Sequence, residues 1–251
     1  MFVGFYFINM LLAFSFANKL IFQPQPSSYR DHSEIIKLTT ANGERISARF
    51  FQNPAAEHTI LFSHGNAEDL GTAAFFLEEL RKAGFAVFAY DYRGYGTSEG
   101  KPSEENAYQD AQAAYTYLTD EFKIPPEKII AHGRSLGGAV ALDLATRKKC
   151  GGLIVESSFV SAFRVVTKYP IFPFDKFQNL QKISRVKCPV LFIHGKKDSL
   201  IPFWHAEQLF NKANEPKFSL WFNDGEHNNI YSIGKKAYLE KIRDFAGNLP
   251  K

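Results

Sequence analysis

Gly133-Arg134-Ser135-Leu136-Gly137 places one hydroxyl between two glycines, after the apolar run KIIAHG (128–133) and ahead of a helix-like stretch from Leu136 to Lys148. At a strand-to-helix junction such a pair of glycines permits a sharp, strained turn that exposes Ser135 Oγ, while the helix N-terminus aims amides at an oxygen that becomes negative. The competing reading is a plain helix N-cap serine behind a turn. A serine hydroxyl is a weak nucleophile at neutral pH and needs a positioned base, commonly a histidine oriented by a carboxylate. Of the seven histidines, His227 stands apart, because it follows the last strand-like run in the turn-rich Asn223-Asp224-Gly225-Glu226-His227-Asn228. The acid should lie between Ser135 and His227, just past a strand end. Asp198 does, in His194-Gly195-Lys196-Lys197-Asp198, and Glu156 at the end of the preceding run is its rival. Glu226 is adjacent to the base, and neighbours in an extended loop point apart.

Acyl transfer at Ser135 also needs two donors for the developing oxyanion. The Leu136 amide is one candidate. The other belongs in the loop after TILFSHG (59–65), where the Asn66 amide is the first choice and Ala67 the second. His64 in that loop reads as a brace, and Asp91 in AYDYRGYG reads as a side chain that fixes the Tyr92 to Gly96 turn.

These groups must be carried by a scaffold, and the apolar pattern predicts one. EIIKLTT and ERISARFF flank Ala41-Asn42-Gly43, a hairpin signal. Six further runs, at 59–65, 86–92, 128–133, 152–157, 189–195 and 218–224, are nearly continuous in apolar residues, as expected of strands covered on both faces. Helix-like stretches separate them at Thr72 to Ala83, Ser103 to Phe122, Leu136 to Lys148, Phe203 to Ala213 and Ile230 to Phe245. The alternation predicts an α/β fold: a mainly parallel sheet with an antiparallel N-terminal edge hairpin and helices on both faces. A single domain is expected from about residue 30 to 251.

Residues Ser157 to Cys188 are the expected cap, about 32 residues, too few for a large lid. They hold many aromatics, among them Phe159 and Phe163. With Phe75 near the oxyanion loop and Phe203 near Asp198, these four residues are expected to line an apolar acyl groove, the alternative being that the rings simply cover the core.

The rest of the composition mainly excludes. At 251 residues, 45% hydrophobic and 22% charged, the chain is ordinary globular material. A net charge of +4 without a long basic run gives no support for nucleic acid as a partner. With two cysteines and no Cys-x-x-Cys, neither a disulfide scaffold nor a zinc site is expected. No metal or organic cofactor is called for. Cys150 and Cys188 precede strands expected to be neighbours, which would bring the thiols toward bridging distance, but both fit equally well as small buried apolar residues, the favoured reading. Residues Phe2 to Ala17 carry no charge, and Pro24 and Pro26 follow closely. Residues 1–22 are expected to lie outside the domain, as an uncleaved membrane anchor or, with cleavage near Ala17, a secretory signal.

The Gly-x-Ser-x-Gly, the HGN loop, GKKD and GEH, in this order, resemble the α/β-hydrolase fold over roughly residues 30 to 250. LFSHGNAEDLG, YDYRGYGTSEGKPSEENAYQDAQAAYTYL and GRSLGGAVALDLA are similar to the membrane-associated α/β-hydrolase-domain protein depalmitoylases and their bacterial relatives. That resemblance implies a nucleophile, acid and base at Ser135, Asp198 and His227. It also implies a cysteine cluster near the N-terminus, whereas this chain has no cysteine before Cys150, and a glycine before the base, where this chain has Glu226. The sequence thus points to a serine hydrolase of acyl esters or thioesters, taking a small-molecule or acylated substrate with an apolar acyl group. Its alternatives are a serine peptidase or aminopeptidase and a catalytically silent binding protein.

Overall fold

The computed structural model describes residues 17–250. The expected anchor or signal, residues 1–22, lies outside these as far as residue 16. Eight strands form one sheet: β1 (Ile35–Thr39), β2 (Arg45–Phe51), β3 (Thr59–Ser63), β4 (Ala86–Tyr90), β5 (Ile129–Arg134), β6 (Gly152–Glu156), β7 (Val190–Gly195) and β8 (Lys217–Phe222). Their order is β1-β2-β4-β3-β5-β6-β7-β8, with β1, β2 and β4 antiparallel in sequence and every other pairing parallel. The α/β architecture is therefore the expected one, with the hairpin at the edge. Strands β3, β4 and β6 are buried at all five positions, which is why their sequences run apolar without alternation.

The helices divide between the two faces. Helices α1 (Leu70–Lys82) and α6 (Ile230–Gly247) pack Leu77, Leu80, Tyr238 and Ile242 on one side. Helices α2 (Glu104–Asp120), α3 (Leu136–Arg147), the single turn α4 (Asn179–Lys182) and α5 (Trp204–Lys212) belong to the other, with Ala114, Leu118, Val140 and Leu209 at the contact. Local chemistry sets the helix starts. Asp69 and Thr72 form a reciprocal capping box on α1, and the Ser103 side chain accepts from Asn106 N on α2.

The packed body begins before residue 30: Phe22 is buried in the core with its ring 5.8 Å from Phe177, Ser28 N donates to Asp69 at 2.7 Å, and the Tyr29 hydroxyl donates to Asp91 at 2.5 Å. Prolines 24 and 26 exclude a helix there, but they do not stop the residues on either side from docking. The Asp91 carboxyl reaches elements outside its own turn. Its buried carboxyl takes the Leu70 N–H at the start of α1 and the Tyr29 hydroxyl, and burial pushes its pKa up to about 7. Cys150 and Cys188 are both free thiols, pushed up by burial, Cys188 to about 12. Among the described residues no helix is long and apolar enough to cross a membrane.

Candidate active site

Ser135 sits between β5 and α3 with φ 55° and ψ −116°, a backbone conformation that side chains rarely adopt. The flanking glycines make the turn possible. A Cβ at Gly137 would lie 1.9 Å from the Ser63 carbonyl of β3, and one at Gly133 would lie 1.9 Å from the Gly137 carbonyl. The turn is held from behind, since Ser135 N donates to Glu156 O at 2.8 Å and the Ser158 hydroxyl donates to Ser135 O at 2.9 Å.

Asp198 and His227 come from the loops after β7 and β8. These loops meet because Gly195 and Gly225 present no side chain to each other: a Cβ at Gly195 would lie 2.2 Å from Gly225 O. Lys197 N then donates to Gly225 O at 2.8 Å, which draws the two loops together. As a result His227 Nδ1 lies 2.7 Å from Asp198 Oδ2, and His227 Nε2 lies 3.1 Å from Ser135 Oγ. With Nδ1–H donating to the carboxylate, Nε2 is left as the acceptor that faces the serine hydroxyl. Asp198 is itself fixed, its Oδ1 accepting from Leu200 N at 3.0 Å and Ile201 N at 2.7 Å. His194, whose pKa is lowered by burial, donates through Nε2 to Ile201 O at 2.8 Å and does not reach the serine.

The other candidates fall elsewhere. Glu156 is buried against His132 at 3.0 Å and accepts from the Tyr238 hydroxyl at 2.6 Å, so it makes a separate polar cluster below the elbow and has no contact with His227. Glu226 is exposed, its N–H donating to Asn229. His64 is buried, with Nδ1 2.7 Å from Gly65 O, and its own carbonyl accepts from the Tyr92 hydroxyl. It braces its loop.

Ser135, Asn66 and Leu136 open onto one cavity of about 470 Å³. Phe159, Phe163, Val165 and Phe172 of the 157–188 segment form much of its wall, and among the described residues no charged one lines it. Two expected groove residues are absent from it. Phe75 lies on α1, 69% exposed, and the Phe203 ring packs against Trp221 at 5.1 Å and His194 at 6.0 Å. The aromatic segment does both jobs that its composition allows, because Phe177 is fully buried in the core while Phe163 faces the cavity. Residues that the sequence reading did not place here include Leu20, Ile21 and Gln23 on one wall and Leu200 and Ile201 next to the acid. Arg134, directly before the serine, pairs with Glu68, whose other oxygen accepts from Gly65 N at 2.8 Å. No spacing rule links Arg134 to Glu68. Leu200 and Ile201, however, follow Asp198 so closely that an acid at 198 already implied them.

A mostly parallel sheet with a serine on a strained strand-to-helix turn after β5, and with an aspartate and a histidine in the loops after β7 and β8, defines an α/β-hydrolase. The human and Xenopus tropicalis alpha/beta hydrolase domain-containing proteins 17B are each 39% identical to this chain over 224 residues, covering 87% of it and 77% of their own length. The chain belongs to the alpha/beta hydrolase domain-containing protein 17 family and is a serine hydrolase. The broader family described as serine aminopeptidase, S33, matches residues 54–178. Among solved structures, an esterase from Pyrococcus furiosus superposes with a TM-score of 0.77 at 19% identity, covering 90% of this chain and 99% of that one. Mouse alpha/beta hydrolase domain-containing protein 10 gives 0.65 at 18% identity, over 85% and 98%.

Proposed function

We propose that the chain hydrolyses acyl esters or thioesters with an apolar acyl group, using Ser135 as nucleophile, His227 as base and Asp198 as the acid that orients it. His227 Nε2 takes the hydroxyl proton as Ser135 Oγ adds to the acyl carbon. The Leu136 and Asn66 amides receive the oxyanion, and His227 then gives its proton to the departing alcohol or thiol. Water, deprotonated by the same nitrogen, attacks the acyl-enzyme, and the acid leaves with Ser135 restored. The observation that carries this reading is the largely apolar cavity of about 470 Å³ into which Ser135 opens, with no charge among its described lining residues. An aminopeptidase would need a carboxylate there to hold the substrate amine, and the described lining offers none. Apolar residues 2–17 would hold the enzyme at a membrane, where long acyl groups are found.

The test is hydrolysis of nitrophenyl esters and acyl thioesters from two to sixteen carbons by the full chain and by Ser135→Ala. The expected result is a maximum at eight carbons or more, with kcat in the variant lower by about four orders of magnitude or more. A maximum at two to four carbons would remove the apolar acyl preference. Equal rates in the variant would remove Ser135.

A further inference from the structure

One wall of the Ser135 cavity comes from outside the sheet, its helices and the cap. Leu20, Ile21 and Gln23 form it, directly after the uncharged run that ends at Ala17. Phe22, between them, is buried in the core and pins the segment. The side chain of Asn66, whose own amide is assigned above to the oxyanion, carries the rest of the attachment. Its Nδ2 donates to Ile21 O at 2.6 Å, and its Oδ1 accepts from Gln23 N at 3.0 Å and from the Tyr95 hydroxyl at 2.6 Å. Gln23 N also lies 3.1 Å from the Tyr95 hydroxyl oxygen. Tyr95 is buried, so this clasp of Ile21, Gln23, Asn66 and Tyr95 is shielded from competing water on one side.

An oxyanion donor acts only if it is fixed before charge develops, and loop amides have no strand or helix to fix them. The 64–68 loop is held on its far side by Glu68, through Gly65 and Arg134. On the cavity side it is held by the clasp. From this juxtaposition we infer that residues 20–23 are a working part of the active site. They wall the acyl cavity, and the side chains of Asn66 and Tyr95, as positioning residues, use them to fix the Asn66 amide. Leu20, 66% exposed at the mouth, contributes to the acyl-chain preference. The inference rests on Ser135 being the nucleophile. Cleavage near Ala17 would leave this machinery whole, whereas a cut beyond Gln23 would dismantle it.

The test uses the full chain with Asn66→Ala, Tyr95→Phe, the double variant and Leu20→Asp, on acetyl and octanoyl nitrophenyl esters. Reactive serines are counted by fluorophosphonate titration so that kcat is per active site, and thermal unfolding is followed in parallel. Asn66→Ala should lower kcat about tenfold on both esters, and Tyr95→Phe about threefold. The double variant should be within twofold of Asn66→Ala, because both changes open one clasp. Leu20→Asp should raise the ratio of octanoyl to acetyl KM at least fivefold. If Asn66→Ala lowers the melting temperature or the number of reactive serines but leaves kcat per site within twofold, the clasp is only structural and the positioning role is overturned. An unchanged KM ratio in Leu20→Asp overturns the wall. Failure of the probe to label Ser135 in the unaltered chain would instead remove the nucleophile assignment on which both rest.

Discussion

Ser135 carries a conflict between folding and chemistry in its own backbone. A non-glycine residue at φ 55°, ψ −116° costs about 1–3 kcal/mol, and only the surrounding contacts hold it there. Glycine would relieve that strain at the cost of about 0.5–1 kcal/mol of unfolded-state freedom. Ser135→Gly should therefore be more stable than Ser135→Ala by about 1 kcal/mol in urea titration, while both lack turnover; the reverse order would mean an unstrained elbow. Asp198→Asn should leave the fold intact and lower kcat about 10³–10⁴-fold by disturbing the His227 tautomer, a loss that Glu156→Gln should not reproduce. The residues behind these predictions were legible in the sequence for a physical reason. Gly133, Gly137, Gly195 and Gly225 mark close approaches that tolerate no side chain, and Ser135, Asp198 and His227 each lie within three residues of one. Phe75 and Phe203 were misplaced because an aromatic near a site in sequence carries no information on which way its ring points.

At the scale of elements, strand and helix positions followed from apolar continuity and capping residues to within two residues or so, as with α3 at Leu136–Arg147. The 157–188 segment was not legible in the same way, since its order comes from contacts distant in sequence. One is from α5: the buried His205 Nδ1 accepts the Val160 N–H at 3.2 Å, and its ring stacks on Trp204 at 3.7 Å. Accepting that proton requires a neutral ring. Burial, with help from the nearby His194 and Arg164, lowers its pKa to about 4. The unfolded chain, titrating near the ordinary value of 6.5, binds more protons between these limits. Stability from this group is thus complete above about pH 6.5 and is lost as pH falls toward 4, by up to about 3 kcal/mol. Urea titrations at pH 7.5 and 5 should show the loss, and His205→Gln should reduce the difference between the two pH values. An undiminished difference in that variant would place the sensitivity on another buried histidine, of which His64 and His194 are also lowered by burial.

For the whole molecule, the reactive face and the scaffold draw on different chemistry. The described lining of the cavity carries no charge, while the loop after β4 is closed by an arginine. Arg93, fully buried after β4, donates through Nε to Asp110 of α2 at 2.7 Å, through Nη1 to Glu44 of the edge hairpin at 2.9 Å, and through Nη2 to Gln109 at 2.9 Å and Asn106 O at 3.1 Å. Its own N–H donates to Asp110 at 2.9 Å, so one residue joins the hairpin, a strand end and a helix. Nothing in the spacing of Glu44, Arg93 and Asp110 announces this, because the pairing needs the antiparallel edge to bring residue 44 to residue 93. Burial raises the Asp110 pKa to about 6 even against the attraction of Arg93, which shows how costly that carboxylate would be alone. Arg93→Met should therefore cost about 3–5 kcal/mol, and Asp110→Asn less, since an amide can still accept from the guanidinium. Adding Asp110→Asn to Arg93→Met should recover part of the loss, because the double variant no longer strands a carboxylate. Urea titration of the three variants reads this directly, and additive losses would show that the pair contributes shape, not charge.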